Sequence, residues 1–410
     1  MRSLLFISIF LAFGCGSDPI STILSSFNNE SVEYTWQADV KTLIISLINE
    51  EDQQNIALQK ALEEASTAQA TDSQNFVTLF GQAYAKHSET PLAPLFSLNT
   101  PLKIEDKASN EAVLKILQNQ ADDLIAQHII IVQERMALFG NEIIKITQLE
   151  ATDQFTVHIQ GATPQIEKQI ATIGKLEFWE LHQNTAIPNL LLTLDDSLKT
   201  EENLDAELND SLSFERFSGP LLEILYLNFY QSDSPSATLG YANPSNVPAI
   251  MDLLTSPTAK EVFGTKLDSI RFVWNARNLE GRDGEPLLAL YAFSTKNQEI
   301  SELNRSHIIN SYVTKNPTGN GFAISLTMNP EGTILWERMT TLNVGKQIAI
   351  SLDDRVYSAP NVNEPIPNGN VSISGGFETI EEANDFSDIL SLRNILPSQL
   401  ILIKKETFSD

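Results

Sequence analysis

The sequence has little cysteine and few basic residues. Its single cysteine in 410 residues, Cys15, excludes a disulfide within the chain and a thiolate metal cluster. Lysine and arginine total 27 against 53 aspartate and glutamate residues, which gives a formal net charge of −26. Nucleic acids and anionic lipid surfaces are bound through basic patches, so this charge argues against both as partners. The simplest role for the acidic excess is solubility.

Catalytic and metal-binding patterns are also missing. The sequence contains no GxSxG, P-loop or HExxH motif and no cysteine with a partner histidine. Asp353-Asp354-Arg355 indicates a solvated tight turn between two strands, and Ser358 is a strand residue without a base. We therefore predict no catalytic, cofactor or metal site and no enzymatic activity. Five histidines show no ligand spacing: His87, His128, His158, His182 and His307.

Long apolar runs are absent after the first residues. Residues 1–15 combine a basic start with a short apolar run, which is typical of a secretory signal and too short for a membrane span of about 20 residues. Gly14-Cys15 suggests lipid attachment at Cys15. The alternatives are an ordinary cleaved signal or a shortened membrane anchor. Residues 16–35 are small and polar at first, as in a tether.

The most strongly patterned part of the chain is residues 322–377. Its local signals agree, because apolar alternation, helix-start residues and helix-ending glycine follow one another in a consistent order. They predict a strand at 322–326, a helix that begins at Asn329-Pro330 and ends near Gly345, and strands at 347–352 and 356–362.

The remaining periodic segments predict a mixture of helices and strands. Helices are expected at 49–70, 73–86, 109–139, from Thr163-Pro164 to Gly174, and after Thr379, and strands at 143–149, 155–159, 175–181, 270–274 and 287–293. Residues 43–47 alternate as in a strand or short buried segment, 195–210 suggest a solvated acidic linker, and 314–321 a hinge. The expected core-facing positions are Ala112, Ile116, Leu124, Ile131 and Leu138 in the helix at 109–139, and Ile380, Ala383, Phe386 and Ile389 in the last helix.

Three segments resemble a known family. MNPEGTILWERMTTLNVGKQIAISLDDRVYSAPNVNEPIPNGNVSISGGF, at 328–377, is similar to the distal half of the first periplasmic domain of SecD, an accessory subunit of the bacterial protein translocase. That family has NxEG, GxxxAIxLDxxVYSAPxV and ISGxF in this order. Residues 140–181, with LEFWEL, resemble the proximal half of the domain, and 75–97 resemble the helical elaboration of Bacteroidetes-type SecDF.

The chain departs from the family pattern at three places. Where the family has DLKGG, residues 38–42 read ADVKT, so both glycines are lost. Where it has RIDxFG, residues 135–140 read RMALFG, and where it has SGxLP, residues 391–397 read SLRNILP. The first change removes the backbone freedom that the two glycines would give.

The resemblance implies an α+β fold, with a ferredoxin-like split βαβ base, an inserted α+β head subdomain and an N-terminal helical elaboration. The implied organisation is a signal peptide at 1–15, a tether at 16–35, the first half of the base with the elaboration at 36–185, an acidic linker and head at 186–316, and the second half of the base at 317–410.

The resemblance also implies a function in protein export. We expect a periplasmic accessory protein, lipid-anchored at Cys15, that binds extended polypeptide with base and head, and no cofactor. The implied partners are Sec translocase subunits or unfolded exported polypeptides. Because no later apolar run approaches a transmembrane length, we expect no proton coupling by this chain. The alternative is an envelope lipoprotein with a scaffold role, which the lost glycines favour.

Overall fold

In a computed structural model, the described residues are 30–72, 74–139, 141–160, 164–183, 186–199, 219–228, 236–281, 283–316, 319–392 and 394–409. The helices are α1 (Val40–Leu47), α2 (Ile56–Gln69), α3 (Phe76–His87), α4 (Asn110–Leu138), α5 (Pro164–Ala171), α6 (Ile187–Ser197), α7 (Val247–Thr255), α8 (Pro257–Phe263), α9 (Pro330–Leu342) and α10 (Ile380–Ser391). The strands are β1 (Glu30–Ala38), β2 (Ile143–Gln148), β3 (Gln154–Gln160), β4 (Leu176–Glu180), β5 (Tyr226–Leu227), β6 (Gly240–Ala242), β7 (Ile270–Asn275), β8 (Leu279–Glu280), β9 (Pro286–Ser294), β10 (Ile308–Lys315), β11 (Phe322–Met328), β12 (Ile348–Leu352), β13 (Arg355–Ser358), β14 (Asn370–Phe377) and β15 (Leu400–Ser409).

The chain divides into two compact units. The first consists of Met1–Ala171 with Pro397–Asp410, and the second of Thr172–Leu396. These units are defined by spatial proximity, whereas the predicted domain boundaries come from the family resemblance. The predicted division at 185/186 and 316/317 therefore stays a prediction.

The first unit is built on a four-stranded antiparallel sheet in the order β15-β1-β3-β2. Alternate residues of β1 point into the core, and the rings of Tyr34 and Trp36 are almost completely buried. Helix α4 contacts β1, β2 and β3, and α5 contacts β15. The predicted hairpin of β2 and β3 is confirmed, and the core of this unit lies between the sheet and these helices.

The buried stripe of α4 is displaced from the predicted one. The helix has the expected length, and Ser109 caps it by accepting a hydrogen bond from the Ala112 N–H at 3.2 Å. Ala112 and Leu138 are exposed, however, so the predicted stripe is wrong at both ends. The two stripes lie on adjacent faces, because the observed one begins one residue later. Its buried residues are Val113, Leu117, Ala121, Leu124, Ile125, His128, Val132, Arg135 and Met136.

The segment after β1 is a short, partly buried helix, so of the two alternatives for 43–47 the strand is wrong. Asp39 accepts hydrogen bonds from the Thr42 backbone N–H at 3.0 Å and from the Thr42 hydroxyl at 2.6 Å, which caps the start of α1. The buried residues of α1 are Val40 and Ile44, four positions apart as on one helix face. The alternation of apolar residues at 43–47 was therefore misleading, because a capping aspartate precedes it.

A buried carboxylate joins the β2–β3 hairpin to the connection between α2 and α3. Asp153 is 1% exposed, and its Oδ2 accepts hydrogen bonds from the Phe76 backbone N–H and from Gln69 Nε2, both at 2.7 Å. Burial raises the pKa of Asp153 to about 6, against the opposing effect of these two hydrogen bonds. The side chain therefore begins to bind protons well above the ordinary range of aspartate.

The second unit contains two sheets. The larger has the order β4-β12-β13-β7-β9-β6-β5, with β8 paired to β9, and its β13–β7 pair is parallel. Trp179 and Phe293 stack in its core with ring centroids 5.5 Å apart. The smaller sheet has the order β10-β11-β14, and α10 packs against it.

The strands that were expected to complete one base are found in different sheets. Strands β2 and β3 pair with β1 and β15, whereas β4 pairs with β12 in the larger sheet of the second unit. The α+β class is confirmed. The order of strands and helices does not by itself establish the ferredoxin-like arrangement.

Residue Asp195 does not belong to a solvated linker. Helix α6 continues to Ser197, and Asp195 is 1% exposed. Its carboxylate accepts hydrogen bonds from the backbone N–H groups of Gly219 at 2.6 Å, Leu221 at 2.9 Å and Leu222 at 2.9 Å. The linker prediction is therefore wrong at this residue, because a distant segment folds back onto the carboxylate. Residues 200–210 lie outside the described residues.

The predicted starts of α9 and α10 are confirmed by their caps. Asn329 Oδ1 accepts a hydrogen bond from the Gly332 N–H at 2.7 Å, and Thr379 Oγ1 accepts one from the Glu382 N–H at 3.2 Å. Gly345 has a φ of +79°, as expected for a residue that ends a helical segment. These features depend only on neighbouring residues, so the sequence predicts them well.

Two other expectations about this part of the chain are wrong. Ile380 is 45% exposed, although Ala383, Phe386 and Ile389 are buried as predicted. The segment expected to act as a hinge connects β10 and β11, which are hydrogen-bonded neighbours in one sheet. It is the turn of a hairpin and not a linker between subdomains.

Among the described residues, no helix combines the length and the apolar character needed to cross a membrane.

Candidate functional site

Cys15, the predicted lipid-attachment residue, lies outside the described residues. Across the described ranges, no three histidine, cysteine, aspartate or glutamate side chains are grouped so that they could hold a metal ion. His128 is fully buried between the carbonyl oxygens of Leu124 and Ser398, and burial lowers its pKa. His158 contacts the Ser31 hydroxyl at 2.8 Å. These two histidines make structural contacts.

The turn at Asp353 and Asp354 holds a structural carboxylate. Both residues have positive φ values, +52° and +56°. The Asp353 carboxylate accepts hydrogen bonds from the backbone N–H groups of Ile173 at 2.9 Å, Gly174 at 2.9 Å and Lys175 at 2.8 Å. The prediction of a solvated turn is therefore wrong for Asp353, which fixes the segment before β4 to the β12–β13 turn.

The neighbouring Asp354 is 51% exposed and belongs to an ion-pair network. Its carboxylate lies 3.1 Å from the Arg271 guanidinium and 3.6 Å from the Lys175 ammonium group. The Arg271 guanidinium also lies over the Trp179 ring, 5.1 Å from its centroid. Because both charges of the turn are engaged in packing and pairing, the turn has the character of a structural element.

The VYSAP motif contributes packing contacts. The ring of Tyr357 lies 4.3 Å from that of Phe386, and burial raises the pKa of the Tyr357 phenol. Phe377 packs on Phe386 at 5.4 Å and carries the Arg277 guanidinium over its face at 4.2 Å. Ser358 donates a hydrogen bond to the Ser374 carbonyl oxygen at 3.4 Å, as expected of a strand residue.

A groove of about 280 Å³, lined by both apolar and polar residues, lies beside α9 in the second unit. Its rim carries two ion pairs, Lys296 with Glu180 at 2.7 Å and Arg338 with Glu302. Surfaces that contact other chains commonly combine apolar residues with polar and charged ones. The apolar lining comes from β4, α9 and the segment between β9 and β10, and consists of Phe178, Trp179, Leu303, Leu335, Met339 and Leu342.

Helix α9 leaves part of its apolar surface uncovered. Trp336 is buried and meets Phe178 with ring centroids 5.6 Å apart. Ile334 and Leu342 are 68% and 62% exposed, and Val344 just beyond the helix is 48% exposed. Exposed apolar residues next to a groove are a recognised sign of an interaction surface.

Strand β10 forms one edge of the three-stranded sheet, and the sequence analysis missed it. Ile309 and Tyr312 on this strand are 66% and 48% exposed. The segment IINSYVTK is rich in β-branched and aromatic residues, which was the available signal. The asparagine and serine in its centre break the simple alternation of apolar and polar residues.

Together these features define an α+β protein whose described surface offers a groove of mixed polarity and an open strand edge. A family model for the SecDF P1 head subdomain matches residues 292–393. SecD of Rhodothermus marinus is 25% identical over 394 residues, which cover 91% of this chain and 60% of that protein. SecD of Desulfurispirillum indicum is 39% identical over 100 residues, covering 24% of this chain and 19% of that protein.

Solved SecDF structures match as well. A crystal structure of SecDF in a super-membrane-facing form aligns with 70% of this chain and 28% of its own, at 17% identity and a TM-score of 0.36. A TM-score of 0.36 does not support a shared fold, so the similarity to SecDF is carried by the sequence matches alone. Those matches show that the chain is similar to SecD and SecDF proteins, and locally to the P1 head subdomain over residues 292–393.

The chain spans about three fifths of the Rhodothermus marinus relative and about a fifth of the Desulfurispirillum indicum relative. The head match at 292–393 includes residues that the sequence analysis assigned to the second half of the base. The labels base and head therefore stay predictions for this chain.

Proposed function

We propose that this protein is a SecD-like accessory of protein export that binds extended polypeptide on the periplasmic side of the envelope. The observation that supports this most strongly is the similarity to a SecD subunit across 91% of the chain. The P1 head match adds a local similarity over the part that contains α9, α10 and the three-stranded sheet. Protein translocation is the role that the relatives' names give.

The physical means of binding are the groove and the strand edge of the second unit. An edge strand pairs with an extended backbone largely without regard to sequence, and a groove with both apolar and polar lining can accept different side chains. Both properties suit a protein whose partners are many different unfolded polypeptides. The apolar residues exposed on and after α9 extend the area available for such contacts.

The proposal also includes the features that the family resemblance implies. They are a ferredoxin-like split base with an inserted head, a lipid anchor at Cys15, Sec translocase subunits as partners, and no proton coupling or enzymatic activity by this chain. Mass spectrometry of the membrane-extracted protein tests the anchor, since lipidation adds the mass of acyl chains to an N-terminal Cys15 peptide.

Photo-crosslinking in intact cells tests the function. A photoreactive amino acid replaces Tyr226, which is 61% exposed, or Ile334, and the crosslinked partners are identified by mass spectrometry. We expect translocase subunits or exported polypeptides at these two positions. Ile56, 73% exposed in the first unit, is the control position. Recovery of only abundant, unrelated envelope proteins at all three positions would contradict the proposal.

The second candidate is an envelope lipoprotein with a scaffold role. It is favoured by the loss of both glycines at residues 38–42, where this chain instead begins helix α1. Deletion of the gene separates the candidates. Accumulation of unprocessed precursors supports the export role, and normal export with altered envelope integrity supports the scaffold.

A further inference from the structure

We propose that the outer edge of β10 is the site where an extended polypeptide is added as a fourth strand to the sheet β10-β11-β14. This inference rests on the proposed function and assigns one polypeptide-binding site within it. The partner is a neutral or basic segment in extended conformation. It would bind mainly through its backbone, so its sequence would matter little.

The hydrogen-bond phase of β10 shows which of its backbone groups face outward. The Asn316 N–H donates to the Gly321 carbonyl oxygen at 3.1 Å, in the same register that pairs Thr314 with Ala323. In an antiparallel pair, hydrogen-bonded and non-hydrogen-bonded positions alternate along the strand. The backbone N–H and C=O groups of the even-numbered residues in 310–316 therefore point toward β11. Those of Ser311, Val313 and Lys315 point toward the outer edge.

Those outward groups are available for pairing. Within the described residues, β10 ends the sheet, and no backbone hydrogen bond connects Ser311, Val313 or Lys315 to another segment. An edge strand presents a row of such donors and acceptors, which only another extended backbone satisfies in full. The three alternate residues Ser311, Val313 and Lys315 each have one N–H and one C=O group, so they offer up to six hydrogen bonds to an added strand.

Strand β10 also lacks the usual protection of an edge. It contains no proline, and its only charged residue is Lys315 at its end. The edge strand β15 of the other unit differs, because it has a register shift and three consecutive charged residues, 404–406. A register shift and charges oppose pairing with a further strand. Ile309 and Tyr312 add exposed apolar surface to β10. Strand β15 also exposes apolar residues, among them Ile401 and Ile403, so the charges and the register shift are what distinguish the two edges.

The net charge decides between a foreign segment and a second copy of this chain. Two molecules with a formal charge of −26 each repel one another, and this repulsion opposes pairing of β10 with β10. A neutral or basic polypeptide meets no such repulsion. The charge therefore favours a foreign segment as the occupant of the edge.

The test compares two variants of the full chain at one outward position. Val313→Pro removes one outward N–H without breaking a bond to β11, and proline is tolerated at such edge positions. Val313→Thr keeps the N–H and the β-branched shape, and serves as the matched control. The probe is a fluorescent peptide of about ten residues, alternating valine and threonine with lysine at both ends. A second peptide carries N-methyl groups at alternate residues.

We expect the wild-type chain and Val313→Thr to bind the peptide, and Val313→Pro to bind it about tenfold more weakly, since a net hydrogen bond contributes about 1 kcal/mol and the fixed φ adds to the loss. The N-methylated peptide should not bind the wild-type chain. Circular dichroism melting of both variants shows whether the fold is kept. If Val313→Pro misfolds, the comparison of the two peptides on the wild-type chain still decides.

Three results would overturn the assignment. Equal binding by Val313→Pro and the wild-type chain would place the polypeptide elsewhere, and the proposed function would stand. A dimer in sedimentation that Val313→Pro abolishes would make a second copy the occupant. If the peptide does not bind but crosslinking recovers exported chains, the assignment of β10 as the binding site is refuted and the proposed function stands. If both experiments fail, the proposed function is refuted too.

Discussion

At the residue scale, three aspartates bind the backbone of segments that are distant in sequence. Asp195 accepts three backbone N–H groups more than 20 positions away, and Asp353 accepts three that are 178 to 180 positions away. Asp153 receives the N–H at the start of α3. A carboxylate satisfies several orphan donors at once, so each of these residues fixes a local chain path.

We predict that the Asp353 carboxylate is a major stabilising group of the second unit. Asp353→Ala removes the carboxylate that accepts three backbone hydrogen bonds and places alanine at positive φ, so we expect a loss of about 3 kcal/mol in the free energy of unfolding. Asp353→Asn keeps one oxygen and tolerates this backbone conformation, and should cost about 1 kcal/mol. Urea unfolding followed by tryptophan fluorescence gives both values. Asp354→Asn, in the same turn, is the control and should cost less than Asp353→Ala, and equal losses would contradict this role.

We predict that Asp153 makes stability fall as the pH rises from about 4 to about 6. Its pKa is raised from 3.8 to about 6 by burial, so the folded state binds a proton in this window that the unfolded state has lost. This stabilisation is fully present when the pH is below the pKa of Asp153 in the unfolded chain. It is lost as the pH rises through the pKa of Asp153 in the folded protein, and it amounts to about 2–3 kcal/mol.

The difference in unfolding free energy between wild type and Asp153→Asn isolates this effect from other titrating groups. We expect that difference to change with pH between about 4 and 6 and to be constant above that range. Asp106→Asn, at an exposed position, is the control. A constant difference for Asp153→Asn across the whole range would show that its carboxyl titrates normally.

At the element scale, the face that α4 buries decides which of its apolar residues matter. Leu117 is completely buried in the first unit, whereas Leu138 near the end of the helix is 57% exposed. We predict that Leu117→Ala costs about 3 kcal/mol, because it leaves a cavity in a packed core. Leu138→Ala should change stability by less than about 0.5 kcal/mol. Thermal and urea unfolding of the two variants measure this, and similar losses would place the buried stripe where the sequence predicted it.

The same elements show what the sequence can and cannot predict. The caps at Asn329 and Thr379 and the β2–β3 hairpin follow from residues a few positions apart, so local patterns were sufficient. Helix α4 has apolar residues on two adjacent faces, and only the sheet beside it selects one of them. Helix α1 was not predicted, because Asp39 was compared only with the family's DLKGG and the alternation at 43–47 indicated a strand or short buried segment.

The candidate site was less predictable than the fold. Its groove combines residues of β4 and α9 that are more than 150 positions apart in the sequence. Local sequence patterns therefore cannot predict that these residues meet. The roles of Asp195 and Asp353 depend on equally distant backbone groups. Strand β10 had a compositional signal in its β-branched residues, but its position at a sheet edge depends on the whole arrangement of strands.

At the scale of the whole molecule, the two compact units contain separate sheets with different exposed features. The groove and the β10 edge both belong to the second unit. Strand β10 and α9 lie inside the range that matches the P1 head, whereas the groove also takes residues from β4 outside it. The first unit contributes most of the long helices. Variants such as Val313→Pro and Leu117→Ala therefore act in different units, so their effects on stability should be nearly additive.

The formal charge of −26 leads to a prediction for the molecule as a whole. If the chain binds unfolded polypeptides, long-range attraction should raise the association rate of a basic polypeptide and lower that of an acidic one. Raising the salt from about 0.05 M to about 0.5 M shortens the screening length from roughly 14 Å to roughly 4 Å, so the basic polypeptide should associate about tenfold more slowly. Stopped-flow fluorescence with two unfolded polypeptides of equal length and opposite charge measures this, and a neutral one is the control. Equal rates for all three at low salt would limit the acidic surface to a role in solubility, because a field that steers partners must distinguish their charge.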